Sequence, residues 1–247
     1  MTLSDGVGRW LLPGWPALDA TRSTFQNLFA ARLRDEPAAR GRVLDIGCGP
    51  KVPLALRPVT SVFGSLDGVD ADPAIVKHPL LAHRWQSEFE TAPLPEHAYD
   101  LAYAYNVLEH VVDPVPFFAK VSAVLKPGGV FWALAPNARH PFAMLSRVVD
   151  VGGLRPFAQR QLLKRPTQAM FLGDSRAYYR CNSPAAIRRA IATLDFAGAE
   201  FEPVMSVQWD RYFPAWLRWA PHVWDCHVSA RAPSMRLLLM VRLQKQS

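Results

Sequence analysis

The sequence predicts an α/β fold built on a mostly parallel sheet with helices on both faces. Three observations carry this expectation. Short apolar runs recur and end at glycine or aspartate, as buried parallel strands do. Between them lie helical stretches that open on an N-cap followed by proline. The rhythm is broken in only two blocks, residues 138–182 and 208–233, which read as insertions at the sheet edge.

The elements follow in order. Residues 1–40 read as a helical cap and 41–137 as the core. Arg42–Ile46 is an apolar run that stops at Gly47, and Leu66–Asp70 repeats the pattern after a segment too short for more than one helix. Asp100–Tyr105 and Gly129–Leu134 are two further strands. The helix between them has Asp113 as N-cap and Pro114 at its first position. Phe117, Val121, Val124 and Leu125 form its apolar stripe, and Lys126-Pro-Gly-Gly129 turns the chain. Ser183-Pro184 opens a later helix with a stripe of Ile187, Ile191 and Leu194, expected to end at Gly198. Ala199–Val207 and Met235–Leu243 are the last strand-like segments.

Composition narrows the class. With 247 residues, 50% hydrophobic and 20% charged, the chain is globular and long enough for one large domain. No apolar run approaches the ~18 residues of a membrane span, and the N-terminus lacks the pattern of a secretory signal. Three cysteines, Cys48, Cys181 and Cys226, form no CxxC pair, so neither a disulfide framework nor a metal site is expected, and the cytoplasm is the default. The net charge of +7 is uneven. Residues 1–135 carry 12 basic and 14 acidic side chains, whereas Arg139–Arg189 carries ten basic residues against Asp150 and Asp174. Four of the eight tryptophans, Trp209, Trp216, Trp219 and Trp224, lie within sixteen residues.

VLDIGCGP, residues 43–50, is the most informative stretch. A buried strand runs into two glycines two apart, which lets a ligand approach the backbone. Asp70 ends the next strand, where a carboxylate accepts hydrogen bonds from ribose hydroxyls. A tight turn without a ligand has the same local pattern. A dinucleotide site would want glycine where Val52 stands, and Asp45 would repel a pyrophosphate. Asp45 suits a cation, so the ligand implied is a positively charged nucleoside without phosphate.

On these residues the chain resembles the class I S-adenosylmethionine-dependent methyltransferases, in particular the bacterial group that includes ubiquinone-biosynthesis-type enzymes. VLDIGCGP is similar to the first family motif, GVDADP at 68–73 to the second, EFETAPLP at 88–95 followed by Tyr99-Asp100 to the third, and YNVLEHV at 105–111 to the fourth. LKPGG at 125–129 resembles the turn before the fifth strand. The resemblance covers about residues 40–137. It implies a Rossmann-like seven-stranded sheet and S-adenosylmethionine as cofactor, leaving S-adenosylhomocysteine as product. It also implies cofactor-binding residues: Asp45, Gly47, Cys48 and Gly49 in the first motif, Asp70 with Ala71 at the ribose, Glu88 and Phe89 at the adenine, and Asn106 beside the methionine part. The chain departs from the pattern at Lys51, where a third glycine is common, at Pro53, and at Glu88, which replaces the commoner aspartate. The loop acts through its backbone, and the flexible stem of Lys51 can carry its charge to solvent.

The methyl group of such a cofactor is already activated, so the protein mainly holds a nucleophile in line. A hydroxyl acceptor also needs a proton acceptor. His110, in the fourth motif, and His140, in NARHP after the fourth recognised strand, are the candidates; a histidine bonded to a neighbouring carbonyl or set in a loop is the alternative for each. Glu109 reads as a buried helix-start carboxylate. Tyr179 and Arg180, in YYRCNSP, are candidate substrate residues, with Arg180 pairing an anionic group or else tying the insertion to the core. The expectation is methyl transfer to a small molecule, anionic or partly apolar, at oxygen. A nucleic-acid or protein methyltransferase and a non-catalytic cofactor-binding subunit are the alternatives. Nucleic acid is not expected, because the basic residues are scattered and no base-stacking module is visible. The Trp-rich insertion suits a lid, an interface or a peripheral membrane contact.

Overall fold

The computed structural model describes residues 24–144, 147, 177–205 and 219–247. Seven strands form one sheet in the order β3-β2-β1-β4-β5-β7-β6. They are β1 (Arg42–Ile46), β2 (Ser65–Asp70), β3 (Arg84–Gln86), β4 (Tyr99–Tyr105), β5 (Leu125–Pro136), β6 (Phe196–Val204) and β7 (Leu238–Lys245). β1 pairs in parallel with β2 and β4, β2 with β3, and β4 with β5. β7 runs the other way. Gly128 N–H near the start of β5 donates to Gln246 O, and Gln246 N–H donates to Asp195 O just before β6. At the opposite end Asn137 N–H, just past β5, donates to Leu237 O, just before β7. The sheet is therefore mixed and mostly parallel.

The strands take their place because their apolar runs are buried on both faces. Leu44, Ile46, Ala102, Ala104, Phe131 and Ala133 face one layer, where α2 (Pro114–Val124) and α3 (Pro184–Ala190) supply Phe117, Phe118, Val121, Val124 and Ile187. Phe117 stacks against Phe89, Phe118 and Phe131 with ring centroids 5.2–6.3 Å apart. On the other face Phe29 of α1 (Thr24–Asp35) lies 6.0 Å from the Tyr105 ring. Both expected caps form. Asp113 Oδ1 accepts from Val115 N–H at 3.2 Å, and Ser183 Oγ accepts from Ala186 N–H at 3.3 Å.

Three expectations need correction. No α-helix follows the glycine turn: the 18 residues between β1 and β2 hold only a 3₁₀ turn at Arg57–Val62, because Pro53 and Pro58 each remove a helical donor. The late helix stops at Ala190, not at Gly198, which sits inside β6. β5 begins at Leu125, pairing with Tyr99, so the strand absorbs the expected LKPGG turn with a register irregularity between Tyr99 and Leu101.

The described chain divides into two compact units. The first comprises residues 26–135, 180–202 and 239–247; the described part of the second comprises 24–25, 136–144, 147, 177–179, 203–205 and 219–238. In the second unit α4 (Trp219–Trp224) continues into a π-helical turn, Asp225–Ser229. Trp209, Trp216 and most of the basic Arg139–Arg189 stretch lie outside the described residues. No helix of the described residues is long and apolar enough to cross a membrane.

Candidate cofactor site

The first unit assembles its candidate site at the carboxyl ends of β1, β2 and β4. Gly47 and Gly49 both adopt the left-handed conformation, with φ of 70° and 59°. Gly47 is required twice over, since a Cβ there would also lie 2.5 Å from Val107 Cγ2. The turn is held by Gly47 N–H, which donates to Val69 O at 2.8 Å. Gly49 differs: among the described residues no atom beyond its chain neighbours lies within 4 Å of where its Cβ would stand. The backbone there borders open space.

Asp70 closes the arrangement. Its Oδ2 accepts from Gly49 N–H and its Oδ1 from Asp72 N–H, both at 2.7 Å. A carboxylate oxygen has two acceptor sites, so each still has one for a ligand hydroxyl. Ser87 N–H donates to Asp70 O at 3.0 Å, which brings the segment before Glu88 to the end of β2. Glu88 and Ala71 are exposed. The Phe89 ring is not: it packs on Phe117 in the core, 5.2 Å between centroids, so its side chain serves the fold and only its main chain is left for a ligand. Lys51 is exposed, and its charge stands in solvent.

Asp45 lies beneath the turn, 3% exposed, and its Oδ2 accepts the Tyr103 hydroxyl at 2.6 Å. The two are register partners on β1 and β4. Burial pushes the Asp45 carboxyl up to about 7, and the Asp70 charge adds to the rise. The Tyr103 hydroxyl is raised well above its ordinary range, first by burial and then by Asp45. Cys48 is buried against Gly68, and burial together with the two carboxylates raises its thiol far above the usual range. It is a packing residue and not a nucleophile.

The end of β4 forms the remaining wall. Asn106 has a φ of 56° and donates its N–H to Leu134 O at 2.8 Å. Among the described residues its buried Oδ1 has no hydrogen-bond partner. Val107 then abuts Gly47, and a 3₁₀ turn, Leu108–His110, follows. His110 is half-buried, and its N–H donates to Val107 O at 2.8 Å. Glu109 points inward, 7% exposed, and burial pushes its carboxyl up to about 8. It is the buried carboxyl expected, and its burial favours the neutral form. Sequence reasoning missed the hydroxyls around these acids. Tyr103 bonds Asp45, and the Tyr105 hydroxyl, raised to about 12 chiefly by burial, accepts from Gln26 Nε2 at 2.7 Å. Both belong to a strand that alternates tyrosine with alanine, the one signal that could have pointed to them.

Arg180, also in the first unit, donates from Nη1 to Val112 O at 2.6 Å. His140 and Tyr179 belong to the second unit. His140 is fully enclosed; its Nδ1 accepts from Phe142 N–H at 3.1 Å, and its ring stands edge-on to Trp224 at 6.2 Å. Burial pushes it down to about 4. Tyr179 is 6% exposed with a φ of 53°, a conformation that a bulky residue keeps only under tertiary constraint. The structure thus gathers Asp45, Gly47, Cys48, Gly49 and Asp70 into one bonded group, with Asn106 and His110 on the adjoining wall.

Comparison with known proteins agrees with this architecture. A family described as "Methyltransferase domain" matches residues 20–231. A trans-aconitate 2-methyltransferase of Methylobacterium radiotolerans is 32% identical over 58% of this chain and 56% of its own length. A ubiquinone biosynthesis O-methyltransferase of Xanthomonas campestris is 31% identical over 58% of this chain and 62% of its own. The chain thus spans little more than half the length of these relatives. The crystal structure of the geranyl diphosphate C-methyltransferase of Streptomyces coelicolor, in complex with S-adenosylhomocysteine, shares the fold with a TM-score of 0.53 at 14% identity, over 90% of this chain and 76% of that one. With the family match covering most of its length, the chain belongs to the methyltransferase-domain family.

Proposed function

We propose that the protein is an S-adenosylmethionine-dependent methyltransferase acting on a small-molecule acceptor, at oxygen. The single observation that carries the cofactor reading is the open space at Gly49. It is bordered by a carboxylate, Asp70, with acceptor capacity to spare and underlain by a second carboxyl, Asp45, whose bond among the described residues is from the Tyr103 hydroxyl. These residues fit the group. Asp70 would take the ribose hydroxyls, the turn Gly47–Gly49 would border the amino-acid part, and Asp45 would face the positive end. Glu88 and the Phe89 main chain would flank the adenine.

The cofactor supplies a methyl group already activated on a sulfonium. What the chain adds is holding, orientation and proton handling. His110 is the proton acceptor of this reading, half-buried on the wall formed by the fourth motif. His140 is not: its enclosure, its bond from Phe142 N–H and its low basicity suit a structural histidine. Oxygen as the acceptor atom is supported by the ubiquinone biosynthesis O-methyltransferases among the relatives and by the need of a hydroxyl acceptor for such a base.

The test is thermal stabilisation by S-adenosylhomocysteine, followed by transfer of isotope-labelled methyl to a panel of phenols, carboxylic acids and amines. Stabilisation with labelling of hydroxyl or carboxyl acceptors is expected. No stabilisation at about millimolar ligand would overturn the cofactor reading, and labelling of amines alone would overturn the oxygen reading.

A further inference from the structure

Tyr103 carries a hydroxyl that packing does not require. The residue is 1% exposed, and its ring lies 6.0 Å from that of Phe63, which follows the 3₁₀ turn between β1 and β2. Phenylalanine would fill the same space without a polar group to desolvate. The hydroxyl is nevertheless there, and it donates to Asp45 Oδ2 at 2.6 Å. The sheet fixes this pairing. Asp45 and Tyr103 are register partners on neighbouring parallel strands, so their side chains leave the same face side by side.

The charges around Asp45 are one-sided. Among the described residues, the groups that act on it are the Tyr103 hydroxyl from β4, the Asp70 carboxylate at the end of β2 and the Cys48 thiol of the turn, which Arg84 of β3 also reaches. Burial and Asp70 oppose a negative charge on Asp45. The Cys48 thiol stays neutral. Of these groups the Tyr103 hydroxyl favours the charge. A hydroxyl bonds a carboxylate more tightly than it bonds a neutral carboxyl. Burial first, and then Asp45, hold the hydroxyl well above its ordinary range, so it keeps its proton and remains a donor.

Resting on the cofactor reading above, we propose that Tyr103 is a positioning residue that selects a cationic nucleoside: its hydroxyl fixes the Asp45 carboxyl beneath the turn Gly47–Gly49 and supports the negative charge that this carboxyl takes on when the ligand binds. Asp45 can face a sulfonium as a counter-ion only after losing its proton, and it must do so in a buried place. One hydroxyl from the adjoining strand offsets part of that cost and holds the carboxyl in one orientation. Tyr103 acts through Asp45 and touches no ligand itself.

The test compares the wild type with Tyr103→Phe by calorimetry from about pH 5.5 to about 8.5. The ligands are S-adenosylmethionine and 5′-methylthioadenosine, a nucleoside without a positive group. In the wild type, S-adenosylmethionine affinity should rise with pH as Asp45 loses its proton. In Tyr103→Phe the rise should move up by about one pH unit, so that affinity near neutral pH falls about tenfold. 5′-Methylthioadenosine should bind both proteins alike. Replacing Tyr103 by 3-fluorotyrosine, a stronger donor of nearly the same shape, should move the rise to lower pH, and it decides the question should Tyr103→Phe fail to fold. In an Asp45→Asn background, Tyr103→Phe should change S-adenosylmethionine affinity no further. Identical pH profiles in the wild type and either Tyr103 variant would overturn the proposal. An equal loss for 5′-methylthioadenosine would overturn it too, since that marks a purely structural hydroxyl, as would a further loss of about tenfold in the Asp45→Asn background. No binding of S-adenosylmethionine to the wild type at about millimolar concentration would overturn the cofactor reading itself, and the proposal with it.

Discussion

Asp45→Asn should make the protein more stable and a poorer binder of a cationic nucleoside. In the folded protein the carboxyl sits at about 7 because it is buried, against about 3.9 in an unfolded chain. A carboxyl raised in this way contributes most at low pH, and that contribution is lost as pH rises through the folded value. The shift of about three units corresponds to about 4 kcal/mol in full. Because the group is buried, solvent does not discount it. Asparagine is neutral throughout and keeps an acceptor for the Tyr103 hydroxyl. Its amide hydrogens cost about 1–3 kcal/mol if unpartnered, but that cost is flat in pH. The pH-dependent part is therefore diagnostic. Between pH 5 and pH 8 the variant should gain about 2.5 kcal/mol on the wild type, or roughly 5–10 °C in Tm. The assay is thermal unfolding of both proteins without ligand at the two pH values. S-adenosylmethionine affinity should fall by about tenfold or more in the variant, with a smaller loss for uncharged S-adenosylhomocysteine. In the wild type, affinity for the charged nucleoside should rise with pH as the Asp45 proton leaves. A Tm difference equal at pH 5 and pH 8, or equal losses for the two nucleosides, would refute the reasoning.

Further expectations follow from the same geometry. Gly49→Ala meets no atom of the described residues, so it should cost only the ~1–2 kcal/mol of its left-handed backbone yet weaken S-adenosylhomocysteine binding by calorimetry about tenfold or more; Gly47→Ala also meets Val107 and should destabilise more, seen as a larger loss of Tm. Glu109→Gln should raise Tm relative to wild type, and by more at pH 9 than at pH 6, because a buried carboxyl at about 8 loses its contribution from the unfolded value of about 4.3 upward; the further gain between the two pH values is about 2.5 kcal/mol, and equal effects at both would argue against a raised Glu109. His110→Gln should lower kcat by about 10²–10⁴ on a hydroxyl acceptor with S-adenosylhomocysteine affinity unchanged, whereas a normal kcat would remove the base from the mechanism.

The candidate site was legible where its signals are local. The VLDIGCGP turn, the two caps and the strand ends need only neighbouring residues to be read, and Gly47, Gly49, Asp70, Asp113 and Ser183 behave as their local chemistry requires. Side chains whose role depends on a distant strand were not legible. Phe89 was expected at a ligand and is committed to a ring cluster with Phe117, Phe118 and Phe131. Gly198 carried the sign of a helix stop but pairs within β6, because sheet hydrogen bonds outweigh a local breaker's preference.

From the sequence alone come the α/β rhythm, the glycine turn and the identity of the acids beside it, since these depend on spacing over a few residues. The protonation and partners of those acids were decided only by tertiary structure. Asp45 and Tyr103 lie 58 residues apart and meet because β1 and β4 are neighbours. His140 looked like a base in a loop until burial lowered it to about 4. A pKa follows from desolvation and from charges brought close in space, and neither is written in the order of residues.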